Sequence, residues 1–242
     1  MSFDISPKSI LKFLLALVSL FALAQLCIIA AQQVPGHGRY DELIRIFNLN
    51  NESNVPTLFS SINLAISACL LFCIGMMHRR TGTAWKAWVG LSLVMMFLSI
   101  DETASIHEKF RGPSQAVLGS PADLYYVWIL PYLLAAAILF LAYLKFFMRL
   151  PVRTRFLFFL SGGIFILGAA GLEVHGNLEQ VRQLNTLSYR FGVLMEEILE
   201  MLGVVCFIYA LTDYAVNKFG SFAVTVAPHK STVRASSQRY LA

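Results

Sequence analysis

Ile10–Ala31 reads ILKFLLALVSLFALAQLCIIAA, an apolar run of 22 residues with Lys12 as its only charge. At 1.5 Å of rise per residue such a run covers the ~30 Å hydrocarbon core of a bilayer as one helix. A cleaved leader has a shorter apolar region of ~7 to 15 residues, so the run is read as a retained membrane helix. The rest of the chain follows the same pattern, with 57% hydrophobic residues and only 14% charged ones. That balance excludes an ordinary soluble domain.

Further apolar spans follow at Thr57–Met77, Trp85–Ile100, Tyr125–Met148, Phe156–His175 and Tyr189–Val216. The third is expected to stay helical through Asp101 to Phe110, until Gly112 and Pro113 stop it. The expected fold is therefore all-α, an integral membrane bundle of six transmembrane helices over residues 1–220. The basic, Ser- and Thr-containing stretch 221–242 is expected to be a disordered cytoplasmic tail.

Lys and Arg sort by side if six helices alternate. Lys8, Arg79, Arg80, Lys86, Arg149, Arg153, Arg155 and Lys218 fall on one face, which the positive-inside rule makes cytoplasmic. Both termini are then inside, and a bacterial cytoplasmic (inner) membrane is the expected location. The net charge of +5 reports this topology and contact with membrane lipid. No nucleic-acid-binding module is present in the sequence, so no nucleic acid partner is expected. Cys27, Cys69, Cys73 and Cys206 all lie in apolar spans, where thiols pack as small hydrophobes, and no disulfide is implied.

Three stretches break the apolar rule: D-E-T-A-S-I-H-E at Asp101 to Glu108, E-V-H at Glu173 to His175, and E-E-I-L-E at Glu196 to Glu200. A charge held in lipid costs at least ~2.5 kcal/mol, so these groups need compensation by metal, protons or water. Interfacial acids often do no more than bind water or cap helices, but three such motifs at one depth exceed that role.

On an ideal helix Asp101, Ala104, His107 and Glu108 occupy an arc of about 120°, and Glu196, Glu197 and Glu200 one of about 100°. Glu173 and His175 point about 200° apart and share a target only if the helix loosens near Gly171 or Gly176. Carboxylate and imidazole together suit a divalent transition metal such as Zn, Fe or Mn. The expected metal ligands are Asp101, His107, Glu108, Glu173, His175, Glu196 and Glu200, with Glu197 as a catalytic base. Such a site would face outward and act on a lipidic substrate.

The inventory of inward Glu and His resembles that of di-iron carboxylate bundles, though E-x-x-H spacing is absent. D-E-T-A-S-I-H-E is also similar to one helix of the alkaline ceramidase type of membrane hydrolase, but the paired late histidines and a seventh helix are missing. No family assignment follows from either. The competing readings are a proton- or cation-coupled transporter, a haem b electron-transfer protein ligated by His107 and His175, and an assembly subunit. A lone Asp213 toward the inner side leaves a transport path discontinuous, which favours a one-sided site.

The loop between the first two spans holds Y-D-E-L-I-R-I-F-N-L, with apolar residues among charges. This pattern predicts a short amphipathic helix on the membrane or over the site.

Overall fold

The computed structural model describes residues 6–33, 41–109, 113, 116, 129–172 and 187–220. Among them all regular structure is helical: α1 (Pro7–Ala31), α2 (Asp41–Phe47), α3 (Val55–Arg80), α4 (Trp85–Ala104), α5 (Ile106–Lys109), α6 (Ile129–Met148), α7 (Val152–Ile166) and α8 (Leu187–Phe219). Five stretches are long and apolar enough to cross a membrane, namely α1, α3, α4, α6 and Val152–Leu172. The short α2 lies where the amphipathic pattern predicts a helix. The tail from 221 onward lies outside the described residues.

Local chemistry sets the helix starts. Ser6 accepts from the amide of Ser9 with Pro7 at the first helical position, and Asn54 accepts from the amide of Thr57 with Pro56 at the second position of α3. These are N-caps followed by a proline whose missing N–H would have had no intrahelical partner.

The 33-residue α8 is the axis of the molecule, packing against α1, α3 and α7. Leu14, Val18 and Phe21 of α1 meet Leu194, Met201, Val205 and Ile208 in one apolar cluster. A second cluster joins Leu71 and Ile74 of α3, Trp88 and Leu91 of α4, Phe158 of α7, and Leu211 and Tyr214 of α8.

Between α3 and α4, where apolar side chains gain little over lipid, polar contacts supplement packing. Ser61 Oγ donates to the carbonyl of Ser99 at 2.9 Å, Ser99 Oγ returns a bond to the carbonyl of Ser61 at 2.8 Å, and Ser92 Oγ donates to the carbonyl of Ala68 at 2.8 Å. Small residues do the same service between α7 and α8. A Cβ at Gly203 would lie 2.7 Å from the Phe165 Cβ and 2.8 Å from its nitrogen, so the two backbones approach as only glycine permits.

The α7 helix widens into π-helix over Leu167–Leu172. This is the loosening that Glu173 and His175 would need, but those two residues lie outside the described ones. Cys27, Cys69 and Cys73 are exposed on the flanks of their helices, so packing inside the bundle does not account for them.

One helix stands apart. Among the described residues α6 shares no extensive backbone interface with another helix, and Ile129 is the one residue of α6 that is buried.

Candidate functional site

α4 does not run on to Phe110. It ends at Ser105, whose φ of 49° and ψ of 45° are left-handed, with the Ser105 amide closing back on the carbonyl of Asp101. Had the helix continued, Asp101 and His107 would sit about 9 Å apart along its axis. The turn instead folds α5 over the end of α4. Common facing along one continuous helix is thus corrected: a non-glycine residue held at positive φ brings the pair together.

Asp101 is 5% exposed, and both of its oxygens are engaged. The backbone N–H of His107 donates to Oδ1 at 2.8 Å, and the Tyr132 hydroxyl of α6 donates to the same oxygen at 3.2 Å. Oδ2 lies 3.4 Å from Nδ1 of His107. Lys109 turns its ammonium onto the carbonyl of Ala104 at 2.6 Å, neutralising the exposed end of α4.

The other ring nitrogen of His107, Nε2, lies 3.7 Å from Oε1 of Glu52. Glu52 belongs to the loop that enters α3, which is tightly knit. Gln25 of α1 accepts from the amide of Leu49 at 3.0 Å, Asn54 Nδ2 donates to the carbonyls of Asn48 and Asn51 at 2.7 and 2.6 Å, and Tyr189 of α8 donates to Asn50 at 2.9 Å. The loop therefore ties α1, α3, α5 and α8 together at the end of the bundle that carries Asp101.

Burial lowers the proton affinity of His107. The hydrogen bond that the ring donates to Asp101 and the charges of Asp101, Glu52 and Glu102 outweigh that effect and hold its pKa above the ordinary imidazole value. Glu102 acts on His107 through its field alone.

The second acidic group stands on α8. Glu196 is buried while Glu197 and Glu200 are half-buried, all engaged with neighbouring groups. Gly168 lets α7 lie against this turn, since a Cβ there would come within 2.8 Å of the Glu196 carbonyl and 3.0 Å of the Glu200 side chain. The side chain of Glu108, and Glu173 and His175 entirely, lie outside the described residues. Among the described residues no group of three or more His, Cys, Asp and Glu side chains is arranged to hold a metal ion. The site that forms is Asp101, His107, Glu52 and Tyr132. Glu52 and Tyr132 escaped the sequence reading, and the only local signal for Glu52 is an acid set in the turn-forming run N-L-N-N-E-S-N.

The opposite end of the bundle is closed. His78 is buried against the rings of Trp88 and Tyr214, which touch each other, with Nε2 2.8 Å from the Tyr214 hydroxyl and Nδ1 2.6 Å from Thr83 Oγ1. Beside it Arg153 holds Asp213 through two bonds of 2.9 and 3.0 Å.

Residues 11–214 match the family model described as "Domain of unknown function (DUF8692)", and the chain belongs to that family. No curated protein and no solved structure matches the chain.

Proposed function

We propose that this DUF8692 protein crosses the membrane six times with both termini on the cytoplasmic side, and that its Asp101–His107–Glu52 cluster is an outer-facing acid–base site. The sixth crossing is α8, whose acids sit in an otherwise apolar helix at the centre of the bundle. The orientation rests on the basic residues of the α3–α4 and α6–α7 connections, Arg79, Arg80, Lys86 and Arg149, which share the end opposite Asp101. Labelling of single cysteines at Ser53 and Thr81 in a cysteine-free background tests it. Outer reagent reaching Thr81 but not Ser53 overturns the orientation.

The observation that carries the acid–base reading is His107, with one ring nitrogen toward Asp101 and the other toward Glu52. Asp101 fixes the ring, and His107 takes up and releases the proton in contact with a ligand arriving from the membrane. The packed His78–Trp88–Tyr214 end supports a site open to one side in preference to a through-pore. Nitrogen NMR of labelled histidine gives the test. His107 retains its proton to higher pH than histidine in the unfolded chain, and Asp101→Asn abolishes the difference. A His107 that titrates like a free imidazole in both proteins refutes the reading.

One distance favours a second reading. The 3.7 Å between Nε2 and Oε1 exceeds a hydrogen bond and is near the separation of two ligands that share a metal at ~2.1 Å each. In that case Zn, Fe or Mn sits between His107 and Glu52, with Asp101 orienting the ring from behind. Elemental analysis of gently purified protein separates the two: stoichiometric metal lost in Glu52→Gln favours the second, and metal-free active protein the first.

A further inference from the structure

The two ends of α6 are held by different chemistry. At the inner end Tyr143, Phe146 and Phe147 pack against the buried cluster that contains Trp88, Leu91 and Phe158. Phe146 meets Trp88 edge-on at 5.1 Å between ring centroids, and Phe147 meets Phe158 and Phe159 at 6.4 and 5.8 Å. The Tyr143 hydroxyl lies against Gly90 where any Cβ would stand. These contacts reach α4 and α7 at once. Ring pairs stay favourable over a range of centroid separations, so this end tolerates small rotations without parting.

At the outer end the fastening is polar. The Tyr132 hydroxyl donates to Oδ1 of Asp101 at 3.2 Å, and its ring stands edge-on to His107 at 6.5 Å between centroids. From Tyr143 to Tyr132 is about 16 Å of helix, so a swing of about 2° at the inner rings lengthens the outer bond past its useful range. Among the described residues no extensive backbone interface resists such a swing, and Leu130, Leu134, Ile138 and Leu141 are exposed along α6. Ile129 is buried at the outer tip, so the closed position is a packed one. Apolar surface uncovered on opening passes to lipid, which costs little. The frame behind is stiffer, because the hydroxyls of Ser61, Ser92 and Ser99 pin α3 to α4 along their length.

We infer that α6 is a lid on the Asp101–His107 pair, hinged on the aromatic cluster at its inner end and latched at its outer end by Tyr132. Closed, it covers the Oδ1 side of Asp101 and one edge of the His107 ring. Open, it gives both groups access from the outer leaflet. A hydrogen-bond donor that takes the place of Tyr132 on Oδ1 holds the lid open, so occupancy of Asp101 and opening favour each other. The importance of what lies beneath rests on the acid–base reading of His107, whereas the swing is measured without reference to it.

The experiment measures spin-label distances by double electron–electron resonance on the full chain in nanodiscs, in a cysteine-free background. The pair Leu58→Cys and Leu134→Cys reads the outer end, and the pair Arg80→Cys and Met148→Cys reads the inner end; all four side chains are exposed. Tyr132→Phe is expected to raise the long-distance fraction of the outer pair at least threefold and to leave the inner pair unchanged. Tyr143→Phe takes a hydroxyl from the hinge and none from the latch, and is expected to leave both pairs as in the parent. An outer pair unmoved by Tyr132→Phe overturns the lid, as does equal movement of both pairs or an equal response to the two tyrosine changes. The His107 titration judges the premise separately. A raised His107 pKa beside an immobile outer pair rejects the lid alone, whereas a free-imidazole His107 beneath a swinging α6 removes the site, and the proposal falls with it.

Discussion

His107 donates its own backbone N–H to one oxygen of Asp101 at 2.8 Å and turns its ring nitrogen to the other at 3.4 Å. The carboxylate thereby fixes both the main chain and the imidazole of the same residue. Loss of its charge should loosen both.

The sign of the pH dependence follows from this pairing. Facing His107 are Asp101 and Glu102 of α4, Glu52 of the loop before α3, and the Tyr132 hydroxyl of α6. Against the lowering effect of burial, the hydrogen bond to Asp101 and the charges of Asp101, Glu52 and Glu102 raise the folded-state pKa of His107 above its unfolded value. Its contribution to stability is therefore complete below the unfolded pKa, ~6.5, and disappears as pH rises through the folded one. The thermal midpoint of the wild type should fall across that window, and His107→Gln should remove the fall. A midpoint that instead rises there through the same residue contradicts the ion pairing.

Ser105 holds the turn at φ 49°. A left-handed non-glycine residue costs on the order of 1 kcal/mol, and a β-branched one more. Ser105→Gly should be neutral or stabilising by up to about 1 kcal/mol with the His107 resonance unmoved. Ser105→Val should destabilise by about 1–3 kcal/mol and shift that resonance toward free imidazole, because α5 can no longer fold over Asp101. Unfolding midpoints and histidine NMR read both effects.

The glycines of α7 and α8 divide sharply. At Gly203 an added methyl meets the Phe165 backbone within 2.9 Å, whereas at Gly162 nothing lies within 4 Å. Gly203→Ala should cost about 1–3 kcal/mol by forcing the helices apart. Gly162→Ala should be neutral or slightly stabilising through helix propensity. Equal effects at the two positions would mean that α7 and α8 are not in backbone contact.

Five of the six expected spans coincide with stretches long and apolar enough to cross a membrane, legible because an apolar run of about twenty residues has few other uses. The pairing of Asp101 with His107 was legible as residue types but not as geometry, since serine gives no sequence signal for a left-handed turn. Glu52 was illegible because only tertiary packing sets the loop entering α3 beside the end of α4. Nor does the sequence of α6 mark it as peripheral. Its apolar character suits lipid and protein neighbours alike, and only its contacts with Gly90 and Asp101 reveal how it is fastened.

At the far end His78 bridges Thr83 and Tyr214, and the contact with Tyr214 joins the end of α3 to α8 inside a stack with Trp88. Tyr214→Phe leaves the stack in place and removes only the hydroxyl, stranding Nε2 of a buried imidazole. A cost of about 1–3 kcal/mol is expected. His78→Phe removes the other partner and should cost a similar amount through altered packing around Trp88. If the two act through one bond, the double variant costs less than the sum of the singles by about 0.5–3 kcal/mol. Strict additivity in denaturant unfolding would mean that the hydrogen bond contributes nothing and that ring stacking alone closes this end.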